Sequence, residues 1–180
     1  MNKPNTNKKP TNRNPITMKT MKTISLIAAT FLTVALSSPA VNAGRVPFNG
    51  TWEANEVSTL FGDPPIGFFS SGQGTLTSTE LGPLALYLSN LVDLATFDGM
   101  GVTRLIDADG DSIFAYGTGH ADPVTPDPPV FHITGTYTVT GGTGRYAGAR
   151  GSFAVDRTLD LSTGDSSGTF NGVIVVRGDH

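Results

Sequence analysis

Cysteine is absent from all 180 residues, which excludes disulfide staples, thiol catalysis and cysteine-ligated zinc. Lysine is absent after Lys22, so the greater part of the chain has only arginine to set against its acids. Catalytic signatures are missing as well: the chain has no Ser-His-Asp elbow, no phosphate loop and no metalloprotease helix. The three histidines, His120, His132 and His180, have neither the mutual spacing nor the cysteine company that zinc requires. No catalytic residue, metal or cofactor is assigned from these patterns. Beyond residue 43 no stretch sustains a helical stripe, whereas Gly, Asp, Ser and Pro recur as punctuation between runs of period two.

The first quarter of the chain differs from the rest. Ile24 to Leu36 form an apolar run of thirteen, preceded by Lys19 and Lys22 and followed by SSPAVNA with small residues at Val41 and Ala43. That order is a secretory leader (residues 18–43) cut after Ala43. The alternative, a membrane anchor, needs about 20 apolar residues and a stop-transfer pattern, and neither is present. Residues 1–17 are polar and aperiodic, an extension or an upstream start with no part in the fold. The expectation is a secreted or periplasmic protein with one domain, residues 44–180, and no membrane span in that mature form. Six arginines then face fifteen acids, a formal charge of −9. Such a surface repels phosphate backbones and anionic membranes, so nucleic acid is not an expected partner.

The mature segment is read as all-β. Phe131, Ile133, Gly135, Tyr137 and Val139 alternate with His132 and a row of threonines; Phe153, Val155, Arg157, Leu159 and Leu161 alternate with Ser152, Ala154, Asp156, Thr158 and Asp160. Residues 168–176 supply a last strand. Thr51 to Val57, Gly67 to Ser78, Leu84 to Val92, Phe97 to Ile106 and Ser112 to Gly117 bring the set to about eight, the number of a small closed antiparallel barrel. Closure removes the edges that so many Thr- and Val-rich strands would otherwise expose. The Asp109-Gly110 pair marks a tight hairpin, as does the run from Ser162 to Asp165. Two proline-bearing stretches, Phe61 to Ile66 and Ala121 to Val130, read as stiff loops leaving the sheet. Leu81 to Leu94 has the leucines of a helix or a strand; Gly82-Pro83 at its start favours a strand.

Val139 to Phe153 reads VTGGTGRYAGARGSF. A strand ending in Gly-Gly-Thr-Gly, then an aromatic, a small pair and a new strand opening on Gly, resembles the allene oxide cyclase and dirigent group of eight-stranded barrels, nearest to its exported bacterial members of undefined role. The resemblance implies an eight-stranded barrel for the whole mature domain. It carries over no active-site residue, because the matching element is a turn. Physically, Gly141, Gly142 and Gly144 suit a sharp reversal where a side chain would clash, and Tyr146 is placed to pack that turn against the barrel end.

Candidate site residues follow from breaks in the strand pattern. Arg157 interrupts an apolar face that should point inward. A buried guanidinium needs an acid, and Glu53 or Glu56 in the first strand is in place to supply it. Such a pair could anchor a ligand carboxylate or steady developing negative charge; the competing reading puts Arg157 at an exposed strand end. Tyr87, Tyr116 and Tyr137 could join as donors or serve as plain core. Asp107 to Asp111 opens like a calcium loop but has Ser112 where glycine belongs and Thr118 where glutamate belongs, so it reads as a solvated acidic hairpin. Two short motifs are discounted: Asn49-Gly50-Thr51 matches a glycosylation sequon, and Arg177-Gly178-Asp179 an adhesion tripeptide.

Three functions remain: a barrel that binds or positions a small hydrophobic molecule without a strong catalytic set, a cyclase or isomerase that works by shape in the lumen, and a structural or surface-association protein with a filled barrel. The Thr-rich outer faces would also tolerate a homo-oligomer.

Overall fold

Period-two alternation becomes strands whose buried apolar residues line one lumen. The computed structural model describes residues 43–127 and 129–177. The expected extension and leader lie outside this range apart from Ala43, as does His180. Eight strands run in order: β1 (Ala43–Phe61), β2 (Gly67–Ser78), β3 (Gly82–Asp93), β4 (Asp98–Ile106), β5 (Ser112–Pro126), β6 (Pro129–Gly142), β7 (Arg150–Asp160) and β8 (Asp165–Arg177). Each pairs antiparallel with the next, and β1 pairs with β8, so the sheet closes into a barrel. In β3 the buried positions are Leu84, Leu86, Leu88, Asn90 and Val92, with mostly exposed residues between them. The stretch that could have been a helix is thus a strand. Its period is two once the leucines are counted from residue 84.

Two expected boundaries move. The first strand begins at Ala43, because its lower part pairs only with β8, from Ala43↔Arg177, before β2 joins at Gly50↔Ser78. That stagger is what closing a tilted sheet demands. The second proline-bearing stretch, Ala121 to Val130, is no free loop. β5 runs on to Pro126 and β6 starts at Pro129. Beyond His120, β5 has lost its β4 partner and pairs with β6 alone, so prolines sit on a free edge where no donor is missed. The first proline-bearing stretch does leave the sheet, turning between Phe61 and Gly67.

The lower end of the barrel is plugged. The turn after β6 continues into a single 3₁₀ turn, Gly144–Tyr146, and Tyr146 is 1% exposed among the core residues Ile113, Val139 and Ile174. This turn docks on the acidic hairpin between β4 and β5. Thr143 N–H donates to the Ser112 carbonyl (2.8 Å) and Ser112 N–H to Thr143 Oγ1 (2.9 Å). Arg145 N–H donates to Asp111 Oδ2 (2.9 Å), and its side chain forms an ion pair with Asp107, Nε to Oδ2 2.7 Å. Asp107 Oδ1 also accepts the N–H groups of Asp109 and Asp111. Two of the calcium-like acids, Asp107 and Asp111, are therefore engaged in holding the plug. Of the three expected glycines, Gly144 has a left-handed backbone (φ +50), and Gly142 is needed for room, since a Cβ there would strike the Ser112 carbonyl and Tyr146. Gly141 has open space around it, and its φ of +158 is one that residues with a side chain rarely adopt.

Above the plug lies a packed aromatic layer. Phe48 meets Phe170 at 4.7 Å and Phe153 edge-on at 5.1 Å, and Phe153 stacks on Tyr137 at 5.4 Å. Each such pair adds about 0.5–1.5 kcal/mol beyond area burial. The lower half of the barrel is thus a conventional core.

Candidate functional site

Higher in the lumen the inward residues turn polar on six strands. β1 supplies Glu56, β2 Ser70, β3 Asn90, β6 Tyr137, β7 Arg157 and β8 Ser166, all buried. β4 adds the buried Thr103, and at the top of β4 and β5 the inward positions include Gly101, Gly117 and Gly119. Strand phase explains the set: each polar residue occupies an inward position in an otherwise apolar alternation.

Arg157 and Glu56 are the charged centre, with side chains 5% and 0% exposed. Arg157 Nη1 donates to Glu56 Oε1 and to Ser166 Oγ (2.7 Å). The guanidinium also lies over the Trp52 ring, 5.4 Å from its centroid. Glu56 Oε2 accepts from Ser70 Oγ (2.5 Å), Ser70 Oγ accepts from Asn90 Nδ2 (3.5 Å), and Asn90 Oδ1 accepts from the Tyr137 hydroxyl (3.3 Å). A chain of polar contacts therefore joins the strands around the lumen. Desolvation of the two charges costs several kcal/mol per ion, which only good geometry and further hydrogen bonds offset; both carboxylate oxygens here have a donor. Burial pushes the Tyr137 phenol above its ordinary value, with the Arg157 charge pulling the other way. It remains a proton donor at neutral pH and is no candidate base.

A cavity of about 40 Å³ adjoins this belt. It is lined by Asn90, Tyr137 and Arg157 on one side and by Gly101, Gly117, Gly119 and Gly135 on the other. Gly101 and Gly117 leave room for the belt itself, since a Cβ at Gly101 would collide with Asn90 and one at Gly117 with the Tyr137 ring. A further buried polar atom on an inward position, Trp52 Nε1, has no hydrogen-bond partner among the described residues, and Thr103 stands beside the Tyr137 hydroxyl. Larger concavity lies on the outer face, among Thr118, Thr134, Thr136 and Asn171, away from the buried charges.

Of the residues singled out from sequence, Arg157, Glu56 and Tyr137 come together inside the barrel. Glu53 and Tyr116 do not. Both are exposed because they stand an odd number of residues from the inward positions Glu56 and Ala115, and a strand turns successive side chains to opposite faces. Tyr87 faces outward for the same reason. The exposed-end reading of Arg157 fails, because Leu159 is buried one inward position above it. Ser70, Asn90, Ser166 and Trp52 escaped sequence reasoning. Asn90 carried the same signal as Arg157, a polar residue on a leucine face, whereas Ser70 and Ser166 sit in serine pairs that hide their phase.

The described residues form a closed eight-stranded antiparallel barrel, and comparison of the structure with solved proteins finds the same barrel elsewhere. The structure of the pterocarpan synthase dirigent protein GePTS1 superposes with a TM-score of 0.51 at 13% identity, over 84% of this chain and 100% of that one. The corresponding protein PsPTS1 gives 0.50 at 13% identity, over 76% and 97%. The fold is the dirigent-type barrel. At this identity the likeness speaks for fold only. No protein-family model matches the chain, and no curated protein matches it by sequence. The dirigent-like resemblance read from the GGTGRYAG turn thus holds at the level of architecture, with that turn serving as the plug of the barrel.

Proposed function

We propose that this is an exported dirigent-type barrel that binds or positions a small, largely apolar molecule with one polar end in its upper lumen, without a dedicated catalytic set. The observation that carries the reading is the buried Arg157–Glu56 pair, bonded through Ser70 and Asn90 to Tyr137 and bordering a cavity walled by glycine backbone. A well-packed apolar replacement of a buried ion pair is often more stable, so stability gives no reason to place one here. Ligand sites are apolar cavities with a few convergent polar groups, and the upper lumen has that composition. The dirigent proteins of similar fold are pterocarpan synthases by title, which agrees with a lumen that receives a small molecule. Tyr137 would donate to the ligand's polar atom, and the unpaired Trp52 Nε1 offers a further donor.

The second reading is a filled barrel with a structural role. It is favoured by cavity size, since about 40 Å³ is far below the roughly 300–1,000 Å³ of typical ligand pockets. Native mass spectrometry of Gly44 to His180 with a panel of hydrophobic acids and phenols separates the two and reports subunit number. A retained small mass, lost in a folded Glu56→Gln/Arg157→Met double variant, supports the binding site. A clean apoprotein with no thermal shift across the panel sinks it and leaves the filled barrel.

A further inference from the structure

The lumenal cavity is only partly enclosed, and its lining reaches the exposed Met100, Thr118 and His120. Above it sit three phenylalanine rings, with Phe68 and Phe97 6.4 and 6.0 Å from Phe131 between them. Phe68 and Phe131 stand within β2 and β6 and are 3% and 8% exposed, so they move only if the barrel does. Phe97 differs in three respects. It lies outside the strands, in the connection from β3 to β4, it is only half-buried, and it lines the cavity together with Asn90, Tyr137 and Arg157.

Its backbone is the more telling feature. Phe97 has φ +59, the one positive φ at a non-glycine among the described residues. A bulky side chain is a poor occupant of the left-handed region, where Gly, Asn or Asp is the ordinary choice. The turn itself does not call for phenylalanine. Asp93 Oδ1 accepts the N–H groups of Ala95 (2.7 Å) and Thr96 (3.1 Å), Thr96 Oγ1 accepts that of Asp98 (3.2 Å), and Phe97 N–H donates to the Asp93 carbonyl (2.8 Å). Any residue tolerant of φ > 0 would complete these bonds. What only phenylalanine adds is the ring against Phe131. Next to it the wall carries little: the inward positions at the top of β4 and β5 are Gly99, Gly101, Gly117, Gly119 and Ala121. With the Phe97 ring displaced, those inward positions offer nothing larger than the Ala121 methyl group to cover the cavity.

We infer that the β3–β4 connection is the entrance to the lumenal site and that Phe97 is its gate, a ring held shut at the cost of backbone strain and released when φ relaxes to an ordinary value. The assignment builds on the cavity as the proposed binding site and says where a ligand would enter it. It also makes Phe97 a specificity-determining position, because the width opened by one ring limits what enters.

The absence of cysteine allows a direct test that needs no ligand. Val155 lines the cavity, is 5% exposed and sits below the aromatic roof; Val155→Cys places a single thiol there, and Ile133→Cys offers a second site on the same cavity should the first fail to fold. Val139→Cys places the control thiol at the plugged end. Labelling by a small aromatic disulfide is followed in each background, with and without Phe97→Gly, a change that suits the backbone and removes the ring. Gating predicts at least a tenfold rise in rate at Val155→Cys or Ile133→Cys with Phe97→Gly, and no change at Val139→Cys. Equal rates with and without the ring overturn the gate, as does parallel acceleration of the control thiol, which would mean general loosening. Because labelling is read without ligand, the gate can stand while mass spectrometry finds no bound molecule, and it can fall while binding is confirmed.

Discussion

Arg157→Met should be among the most damaging single substitutions in this protein, and the reason can be worked through from the geometry. The change removes a charge while keeping most of the volume. Glu56, with a fully buried side chain, is left with Ser70 as its only hydrogen-bond donor. Breaking a buried pair on one side costs about 3–5 kcal/mol, because an uncompensated charge remains in the interior. With a urea dependence of about 2 kcal/mol/M for a domain of this size, the midpoint should fall by about 1.5–2.5 M. Trp52 is the sole tryptophan, and its ring lies against the Arg157 guanidinium, so its fluorescence reports the transition from the site itself. A double variant supplies the control. Glu56→Gln/Arg157→Met should recover most of the lost stability, giving a coupling in a double-mutant cycle of about 3 kcal/mol or at the upper end of the usual range. A single-variant cost under about 1 kcal/mol, the size of an exposed pair, or a double variant as unstable as the single, would refute the view of a desolvated, mutually dependent pair.

Other outcomes follow from the plug and the outer face. Tyr146→Ala should cost about 3–5 kcal/mol as a large buried aromatic, read as a lowered thermal midpoint. Burial pushes the Asp107 carboxyl up, but the N–H groups of Asp111 and Asp109 together with Arg145 outweigh this and hold it below the ordinary range. Its contribution is therefore present above about pH 4 and is lost as pH falls through the lowered value, so Asp107→Asn should lower stability at neutral pH by about 1–3 kcal/mol and flatten the acid limb of a pH–stability curve. On the outer face His120 is raised by its hydrogen bond to Asp98, opposed by slight desolvation and helped by the charges of Asp122 and Asp98. The stability it lends is complete below the ordinary histidine value of about 6.5 and fades as pH rises through the raised one. Proton NMR of Asp98→Asn should show the His120 midpoint moved down; an unchanged midpoint would remove Asp98 as its cause.

Much of this protein was legible in its sequence because strands report their own faces. A period of two needs no knowledge of partners, so the apolar face of β7 could be read from spacing and Arg157 stood out as the charge on it, whereas for β3 it was Gly82-Pro83 that favoured a strand over a helix. The hairpin glycines and the GGTGRYAG turn carried local backbone demands, and these too are properties of short segments. Tertiary structure decided what depends on residues far apart in the chain. Glu56 and Arg157 are 101 positions apart, and the choice of Glu56 over Glu53 rests on the phase of a strand whose lower half is fixed by pairing with β8. The acidic hairpin and the glycine turn each read as separate motifs; only closure of the barrel brings them together as donor and acceptor of one plug. Ala121 to Val130 misled because proline forbids a ladder bond, and only the barrel's stagger shows which ladder edge has no bond to lose. Periodicity is local and survives in one dimension, whereas register, closure and the meeting of buried charges are set by the sheet as a whole.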